Sequence, residues 1–247
     1  MVATARSQER LVLLREAGLE ATSCNRCAVE SADLVFISVK PYHFPIVARD
    51  IGGIVAGKPV VSVMAGVPVS LLQKVLKGAE VYRAMPNLNI RVGRSLTALY
   101  SPPNARHYGL VRRALSCFGT VYDVPEEFID AWTAVAGSGP ALVAEFLDAL
   151  VLAALAVGLP RSIARRVAAE LLESTARYLL ENPDVHPGVL RDEVITPAGT
   201  TIAAIRTLES RGFKSAVIDA VRDATLRAGE IAREIASMLD NSLGGSD

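Results

Sequence analysis

The stretch His186–Thr201, HPGVLRDEVITPAGTT, combines turn-forming residues, hydroxyl groups and the start of a new helix. Pro197 disfavours helix immediately before it, and Gly199 lets the backbone approach a ligand closely. Thr200 and Thr201 stand where a helix N-cap is expected, ahead of a periodic apolar run. Because a helix start presents unpaired N–H groups, it suits a carboxylate or a phosphate. An ordinary capped helix after a turn explains the same residues.

Upstream of this stretch, short apolar runs alternate with helical patterns. Strands are predicted over residues 2–5, 34–39, 60–64, 81–85, 96–100 and 120–124, and helices over about 8–17 and 104–118. This alternation predicts a βαβ, doubly wound half, in which ligands bind outside the carboxyl ends of the strands. The pairs Lys40-Pro41, Ala65-Gly66 and Pro86-Asn87 all fall at such ends, so they predict a shared crevice.

From about Pro125 the chain changes to nearly all helix. Four helices are predicted, over about residues 140–157, 161–181, 201–212 and 213–239. The first of them is apolar nearly all the way round, so it must be buried on most sides. A partner subunit is the expected source of that cover.

The bulk composition predicts a soluble, cytoplasmic protein. Apolar residues make up 51% of the chain, and 26 basic residues balance 26 acidic ones, which does not predict a nucleic-acid partner. No signal peptide opens the chain, and the most apolar stretch carries Glu145 and Asp148, which leaves too short an uncharged run for a membrane span.

Three cysteines do not predict a disulfide framework. Cys24-Asn25-Arg26-Cys27 has the spacing of a redox or metal pair, but the chain has no second cysteine pair and its three histidines lack ligand spacing. We therefore interpret the pair as two thiols in a loop, and we predict no metal site.

Several motifs resemble the pyrroline-5-carboxylate reductase family, the enzymes that make the last step to proline. In the helical half the resemblance rests on Thr133–Ala141 (TAVAGSGPA), on Gly158-Leu159-Pro160 and on His186–Thr201. In the first half, residues 38–41, 65–66 and 83–87 also fit. The resemblance spans residues 2 to about 235. It implies hydride transfer from NADPH, or alternatively NADH, to the C=N carbon of 1-pyrroline-5-carboxylate.

The resemblance also implies a fold and a division of labour. We expect an α/β Rossmann-like dinucleotide-binding domain over residues 1–124, with its first βα unit missing. An all-α substrate-binding and dimerisation domain is expected over residues 125–247. The implied partners are the cyclic imine substrate and a second copy, as a homodimer or a dimer-based higher oligomer through the C-terminal helices.

The resemblance assigns the cofactor to the first half. Arg6 and Ser7 are expected at the adenosine end, where an arginine suits the 2′-phosphate of NADPH. Asn25 is expected on the ribose side. The other cofactor-binding candidates are Val39, Lys40, Pro41, Ala65, Gly66, Met85, Pro86 and Asn87, the first five of them along the pyrophosphate and nicotinamide.

The resemblance assigns the substrate to the helical half. The candidates for holding its carboxylate, through backbone N–H groups and hydroxyls, are Thr196, Ala198, Gly199, Thr200 and Thr201. The catalytic candidates are Asp184, which stands just before His-Pro where the family has an acidic residue contacting the ring nitrogen, and Thr201, whose hydroxyl is expected near that nitrogen. An iminium can arrive already protonated, which would explain the lack of an obvious acid–base pair.

The chain departs from the family in three places. It has Thr196-Pro197-Ala198-Gly199 for Ser-Pro-Gly-Gly and Leu88-Asn89 for Thr-Pro. It also lacks the opening strand and Gly-x-Gly-x-x-Gly turn, so that Met1 falls where the second strand begins. We expect an open inner sheet edge and the loss of the main phosphate cradle. The favoured explanation is a start codon assigned too late; the other is a truncated paralogue.

Two alternative functions follow from the same residues. One is a non-catalytic oligomerisation partner, whose helical module is intact while its cofactor domain is disabled. The other is a relative of the β-hydroxyacid dehydrogenases, which carry a catalytic Lys and an Asn on the helix after their Gly-rich turn. This chain has neither between Gly137 and Leu150, so that alternative ranks low.

Overall fold

A computed structural model describes the backbone of residues 1–243 and the side chains of residues 1–239. The chain forms two compact units. Unit 1 contains Met1–Ser138 together with the chain from Asp223 onward, and unit 2 contains Gly139–Arg222. The domain boundary expected at residues 124/125 follows the change from strands to helices. By packing, the first unit extends to Ser138, because residues such as Ile129 and Trp132 pack against Met85 and Ala98 of the sheet.

Unit 1 is an α/β structure in which short strands and helices alternate. Its elements are β1 (Val2–Thr4), α1 (Gln8–Glu16), β2 (Glu20–Thr22), α2 (Asn25–Glu30), β3 (Val35–Ile37), α3 (Phe44–Ile51), β4 (Pro59–Ser62), α4 (Val69–Val75), β5 (Glu80–Met85), β6 (Ser95–Tyr100), α5 (Tyr108–Ser116), β7 (Gly119–Asp123) and α6 (Ile129–Trp132). A π-helical turn, Thr133–Gly137, follows α6. The predicted strands are all present, and β2 and α2 to α4 are added between them.

The strands of unit 1 form two sheets. Five strands pair in the order β3-β4-β5-β6-β7, and β1 pairs with β2 in a separate parallel ribbon. No ladder joins β1 to β3 among the described residues, which agrees with the open inner edge expected from the resemblance. Unlike the other pairs, β5 and β6 are antiparallel. Their connection, residues 86–94, is shorter than the dozen or so residues that a parallel crossover needs.

The core of unit 1 lies between the sheet and its helices. On the central strands Val60, Val61 and Val81 are fully buried, as expected for parallel strands covered on both faces. Phe44 on α3 and Leu72 on α4 pack in one cluster with Val60 and Val81, whereas Val61 packs in a second cluster with residues of α5.

Unit 2 is entirely helical. Its elements are α7 (Gly139–Ala156), α8 (Arg161–Glu181), α9 (Pro187–Val194) and α10 (Thr200–Ser210). A small core of Val151, Ala164 and Ala168 joins α7 to α8. The sequence did not predict α9. It ends at Val194 and Ile195 is already extended, so the helix stops before Thr196, the residue for which Pro197 disfavours a helical conformation.

A long helix, α11 (Phe213–Leu243), begins in unit 2 and belongs to unit 1 from Asp223 onward. Its side chains Ile235 and Leu239 are buried in the core beneath the sheet of unit 1. The part of α11 from Asp223 onward therefore packs with the α/β unit.

The stretch Glu126–Ala156 is long and apolar enough to cross a membrane by length and composition alone, even with Glu145 and Asp148 inside it. Only 6% of its most apolar window is buried within the chain. On α7 the apolar side chains of Leu142, Val143 and Leu152 are exposed. The burial predicted for this helix is thus not supplied by the described residues of the chain itself.

Candidate cofactor and substrate sites

Three loops meet at the carboxyl edge of the larger sheet. Parallel pairing places Ile37 of β3 beside Ser62 of β4, and Ser62 beside Arg83 of β5. The loops that follow these strands contain Lys40-Pro41, Ala65-Gly66 and Pro86-Asn87. They therefore lie along one edge of the sheet, which is where α/β folds bind ligands.

Arg6 is held against the first of these loops. Its Nη2 lies 3.2 Å from Nδ1 and 3.1 Å from Nε2 of His43, which ends the short 3-10 turn that follows Lys40. Ser7 caps α1, because its Oγ accepts a hydrogen bond from the N–H of Arg10 at 3.3 Å. Two cationic side chains, Arg6 and Lys40, thus flank one turn. His43 was not among the predicted site residues, although it lies two positions after Pro41.

Asn25, the ribose-side candidate, begins α2. Its Nδ2 donates a hydrogen bond of 2.8 Å to Oδ2 of Asp50 on α3. On either side of Asn25, Cys24 and Cys27 form a disulfide with a Cα–Cα separation of 5.4 Å, so the interpretation as two thiols is wrong. A turn into a helix brings cysteines three residues apart within the usual disulfide distance. Cys117 is the free cysteine.

Gly66 allows α11 to approach the second loop. Its φ of +69° lies in the left-handed region, and a Cβ there would stand 2.7 Å from the carbonyl oxygen of Ala228 and 3.0 Å from Ile231. Both neighbours belong to α11. Because any side chain would meet that helix, Gly66 can offer a ligand only its backbone.

The third loop is fixed by Asn87, which is 8% exposed. Its Nδ2 donates to the carbonyl of Ala136 at 3.0 Å, and its Oδ1 accepts from the N–H of Asn89 at 3.2 Å. Ala136 lies in the π-helical turn, a feature that is frequent at functional sites. Met85 packs nearby against Ile129 and Trp132. Asn87 therefore positions this loop, whatever it also contributes to a ligand.

Arg83 ties α6 to the sheet beneath the third loop. Its side chain is 3% exposed, and its Nη2 donates to Oδ1 of Asp130 at 2.5 Å. Its Nη1 lies 3.7 Å from Oε1 of Glu126, the oxygen that accepts the N–H of Val69 at the start of α4. One guanidinium thus joins β5, α4 and α6, because a buried cation needs anionic partners.

The opposite edge of the sheet carries a second polar cluster, at the start of β5. Burial alone would raise the pKa of Glu80. The hydroxyl of Tyr82, the N–H groups of His107 and Arg106 and the ring of His107 all donate to its carboxylate, and they lower that pKa from 4.5 to about 2. Burial and the Glu80 carboxylate raise the pKa of Tyr82. A polar cavity of about 380 Å³ lies beside this cluster, away from the three loops.

The substrate candidates all lie in unit 2. Asp184 is exposed in the turn before α9. His186 is the N-cap of that helix, and its Nδ1 accepts the N–H of Gly188 at 3.0 Å. The ring nitrogen of His186 is thus used locally for capping.

The turn Thr196–Gly199 leads directly into α10. The N–H of Gly199 donates to the carbonyl of Thr196 at 3.0 Å, and Ala198 adopts a φ of +58°, a left-handed conformation that favours glycine. The N-cap is Gly199, with no side-chain capping bond, so the expectation that Thr200 or Thr201 is the cap is wrong. Thr200 and Thr201 are instead the first two residues of the helix, because the closed turn already ends at Gly199.

With glycine as the cap, the first N–H groups of α10 have no side-chain acceptor. Helical geometry leaves the N–H groups at the start of any helix without intrahelical partners. The hydroxyls of Thr200, which is exposed, and of Thr201, which is half-buried, stand beside them. This helix start is therefore suited to a carboxylate. Among the residues described, no cluster of three or more His, Cys, Asp or Glu side chains could hold a metal ion.

An α/β unit with ligand loops at its carboxyl edge, followed by a helical unit, defines the class of Rossmann-type oxidoreductases with a helical second part. Two family models match the chain. One is described as pyrroline-5-carboxylate reductase dimerisation, over residues 126–231, and the other as NADP oxidoreductase coenzyme F420-dependent, over residues 1–66.

Similar proteins agree with both models. Pyrroline-5-carboxylate reductase 3 of Macaca fascicularis is 35% identical over 241 residues, which cover 95% of this chain and 86% of the relative. A pyrroline-5-carboxylate reductase of Coxiella burnetii superposes with a TM-score of 0.81 at 31% identity, over 94% of this chain and 88% of that one. The chain therefore belongs to the pyrroline-5-carboxylate reductase family.

The fold is shared more widely still. The pyrroline carboxylate reductase of Plasmodium falciparum, solved with NADP bound, superposes with a TM-score of 0.86 at 22% identity, over 94% of this chain and 87% of that one. The predicted fold class, a Rossmann-like part followed by a helical dimerisation part, is confirmed.

Proposed function

We propose that this protein reduces 1-pyrroline-5-carboxylate to L-proline with NADPH. The observation that carries the proposal is 35% identity, over nearly the whole chain, to a named reductase. The match spans the cofactor loops and the helical part together. That breadth favours the enzyme over a non-catalytic oligomerisation partner, for which only the helical part would need to be retained.

The cofactor candidates fit a dinucleotide phosphate. The guanidinium of Arg6 contacts the ring of His43, three positions after Lys40. Two cations, Arg6 and Lys40, would therefore be available at the carboxyl edge for the 2′-phosphate and the pyrophosphate. Asn25 would contact the ribose, and residues 39–41 and 65–66 would line the rest of the cofactor. Met85, Pro86 and Asn87 would complete that side. The nicotinamide, when bound, supplies the hydride; these residues hold and orient it.

The helix start in unit 2 would hold the substrate carboxylate. Backbone N–H groups at Thr200 and Thr201 would donate to its oxygens. Gly199, whose own N–H closes the turn to Thr196, leaves the space beside the Thr196 hydroxyl that a side chain would fill. Ala198 contributes the turn conformation. The Thr201 hydroxyl and the Asp184 carboxylate would face the ring nitrogen, where a carboxylate stabilises a protonated iminium. The hydride then adds to carbon, and the nitrogen keeps its proton as the amine of proline.

The exposed apolar side chains of α7 would be covered by a second copy of the chain. The family model for this part is one for dimerisation, and exposed apolar surface of this extent is typical of subunit interfaces. We propose a homodimer, or a ring built from dimers, in the cytoplasm. Light scattering behind a sizing column should give at least twice the 26.2 kDa of one chain.

Substitution at the start of α10 tests the substrate site. Thr201→Val keeps the side-chain shape but removes the hydroxyl, and kcat/KM for pyrroline-5-carboxylate should fall at least tenfold. That loss corresponds to one hydrogen bond to a charged group, about 1.5–3 kcal/mol.

The matched control is Thr207→Val on the same helix, whose hydroxyl donates to the carbonyl of Ala203 at 3.2 Å. It should leave kcat/KM within about twofold. Equal effects of the two substitutions would exclude a substrate contact at Thr201.

A further inference from the structure

The disulfide between Cys24 and Cys27 lies at the edge of unit 1, where β2 leads into α2. The two cysteines are three positions apart. A cross-link that closes so short a loop restricts the unfolded chain very little, so it adds less stability than a disulfide closing a long loop. Its contribution to folding does not account for it.

The two sulfurs are in different surroundings. Cys27 is exposed, whereas Cys24 is half-buried and serves as the N-cap of α2. The N–H of Cys27 donates to Sγ of Cys24 at 3.0 Å. A hydrogen bond to sulfur stabilises a thiolate. The exposed sulfur of Cys27 is therefore accessible to a nucleophile, and the sulfur of Cys24 is the better leaving group.

Asn25 lies inside the ring that the disulfide closes. Its side-chain amide donates to Asp50 on α3 at 2.8 Å, so the disulfide and this bond together fix the start of α2. A segment that is already rigid loses less entropy when a ligand binds to it.

We propose that Cys24–Cys27 is a thiol–disulfide exchange site for a dithiol reductant, and that its opening weakens NADPH binding through Asn25. The regulatory half of this proposal rests on the proposed function. The exchange half does not.

The exchange proceeds in two balanced steps. A thiolate of the dithiol attacks Sγ of Cys27, the Cys24–Cys27 bond breaks, and Cys24 leaves as a thiolate that accepts the Cys27 N–H. The second thiol of the reductant then attacks the reductant sulfur that is bonded to Sγ of Cys27, and Cys27 is released as a thiolate. Two electrons and two protons pass to the protein, and the reductant becomes a cyclic disulfide.

The exchange half is tested in a Cys117→Ser background, which removes the one free thiol. When this folded Cys117→Ser variant is treated with N-ethylmaleimide, mass spectrometry should show no adduct. After reduction with dithiothreitol it should show two adducts, and the far-ultraviolet circular dichroism spectrum should be unchanged. With glutathione disulfide, Cys24→Ser, which keeps the exposed thiol, should form a mixed disulfide at least tenfold faster than Cys27→Ser. Two adducts without reductant, or equal rates for the two variants, would overturn the exchange site.

The regulatory half is tested by titrating NADPH against both redox forms. The Kd should be about threefold higher after reduction, the double variant Cys24→Ser/Cys27→Ser should match the reduced form, and Asn25→Ala should bring the two forms to one Kd. An identical Kd in both forms overturns regulation. If NADPH binds neither form while the adduct count still rises from none to two, the proposed function and the regulation fail together and the exchange site stands.

Discussion

The substitution Gly66→Ala tests the contact between α11 and the loop at the carboxyl edge of the sheet. Gly66 has a φ of +69°, and an added Cβ would stand 2.7 Å from the Ala228 carbonyl oxygen and 3.0 Å from Ile231. Backbone of a helix cannot move aside as the end of a flexible side chain can. The substitution should therefore cost both conformational strain and steric overlap.

The expected magnitude is the sum of these two effects. A left-handed alanine costs about 1–2 kcal/mol, of which about 0.4–1 kcal/mol is returned because alanine restricts the unfolded chain. Overpacking a tight site adds about 1–3 kcal/mol. We expect the free energy of unfolding of unit 1 to fall by about 2–4 kcal/mol.

Urea unfolding followed by tryptophan fluorescence measures this loss, because the single tryptophan, Trp132, lies in unit 1. The matched control is Gly57→Ala. Gly57 has a φ of +78° but nothing within 4 Å of an added Cβ, so it should lose only the conformational part, about 1 kcal/mol. Equal losses for the two variants would refute the close approach of α11 to Gly66.

Three further substitutions test other parts of the molecule. Because hydrogen bonds depress the pKa of Glu80 to about 2, its ionised form stabilises the fold above pH 4.5 by about 3 kcal/mol, and this is lost as the pH falls towards 2. Urea unfolding should show that Glu80→Gln lowers the free energy of unfolding less and less over that range. A loss that does not change with pH would contradict the lowered pKa of Glu80. Ala198→Gly relieves a φ of +58° and should stabilise unit 2 by about 0.5–1 kcal/mol in thermal unfolding, whereas Ala203→Gly inside α10 should destabilise it by about 1 kcal/mol; a less stable Ala198→Gly variant would contradict the strain. Arg6→Ala should raise the KM for NADPH about tenfold and leave that for NADH within about twofold, since only NADPH has the 2′-phosphate; equal changes for both cofactors would place Arg6 elsewhere.

Much of the fold could be predicted because it depends on local patterns. The valines of β4 form a continuous apolar run, and the strand appears at Pro59–Ser62. Helix α8 spans Arg161–Glu181 as predicted, since Pro160 and Asn182-Pro183 delimit it. The order of strands and helices then places Lys40, Ala65 and Pro86 at one edge of the sheet.

The features that sequence reasoning missed depend on contacts between distant residues. The return of α11 to the α/β unit depends on Ile235 and Leu239 packing beneath the sheet, and helical periodicity alone does not tell which core a helix joins. The support that His43 gives to Arg6 joins residues 37 positions apart. The Cys24–Cys27 bond depends on a turn geometry that the spacing alone left open.

At the candidate substrate site the predicted helix start is present, but its cap is not the predicted one. A helix start suited to a carboxylate is present at α10, but its cap is Gly199 and the left-handed residue is Ala198. The sequence pattern marks Gly199 as the flexible residue because glycine is the usual one with positive φ. Here the turn instead forces an alanine into that conformation.

Turnover with NADPH tests the central claim most directly. Two proteins are each mixed with NADPH and pyrroline-5-carboxylate: the chain, and the same chain preceded by a strand, a Gly-x-Gly-x-x-Gly turn and a helix. The oxidation of NADPH and the L-proline formed are then measured. We predict one proline for each NADPH oxidised, with a lower KM for NADPH when the glycine-rich unit supplies a phosphate cradle. If neither chain oxidises NADPH or forms proline, the assignment of this protein as a reductase is contradicted.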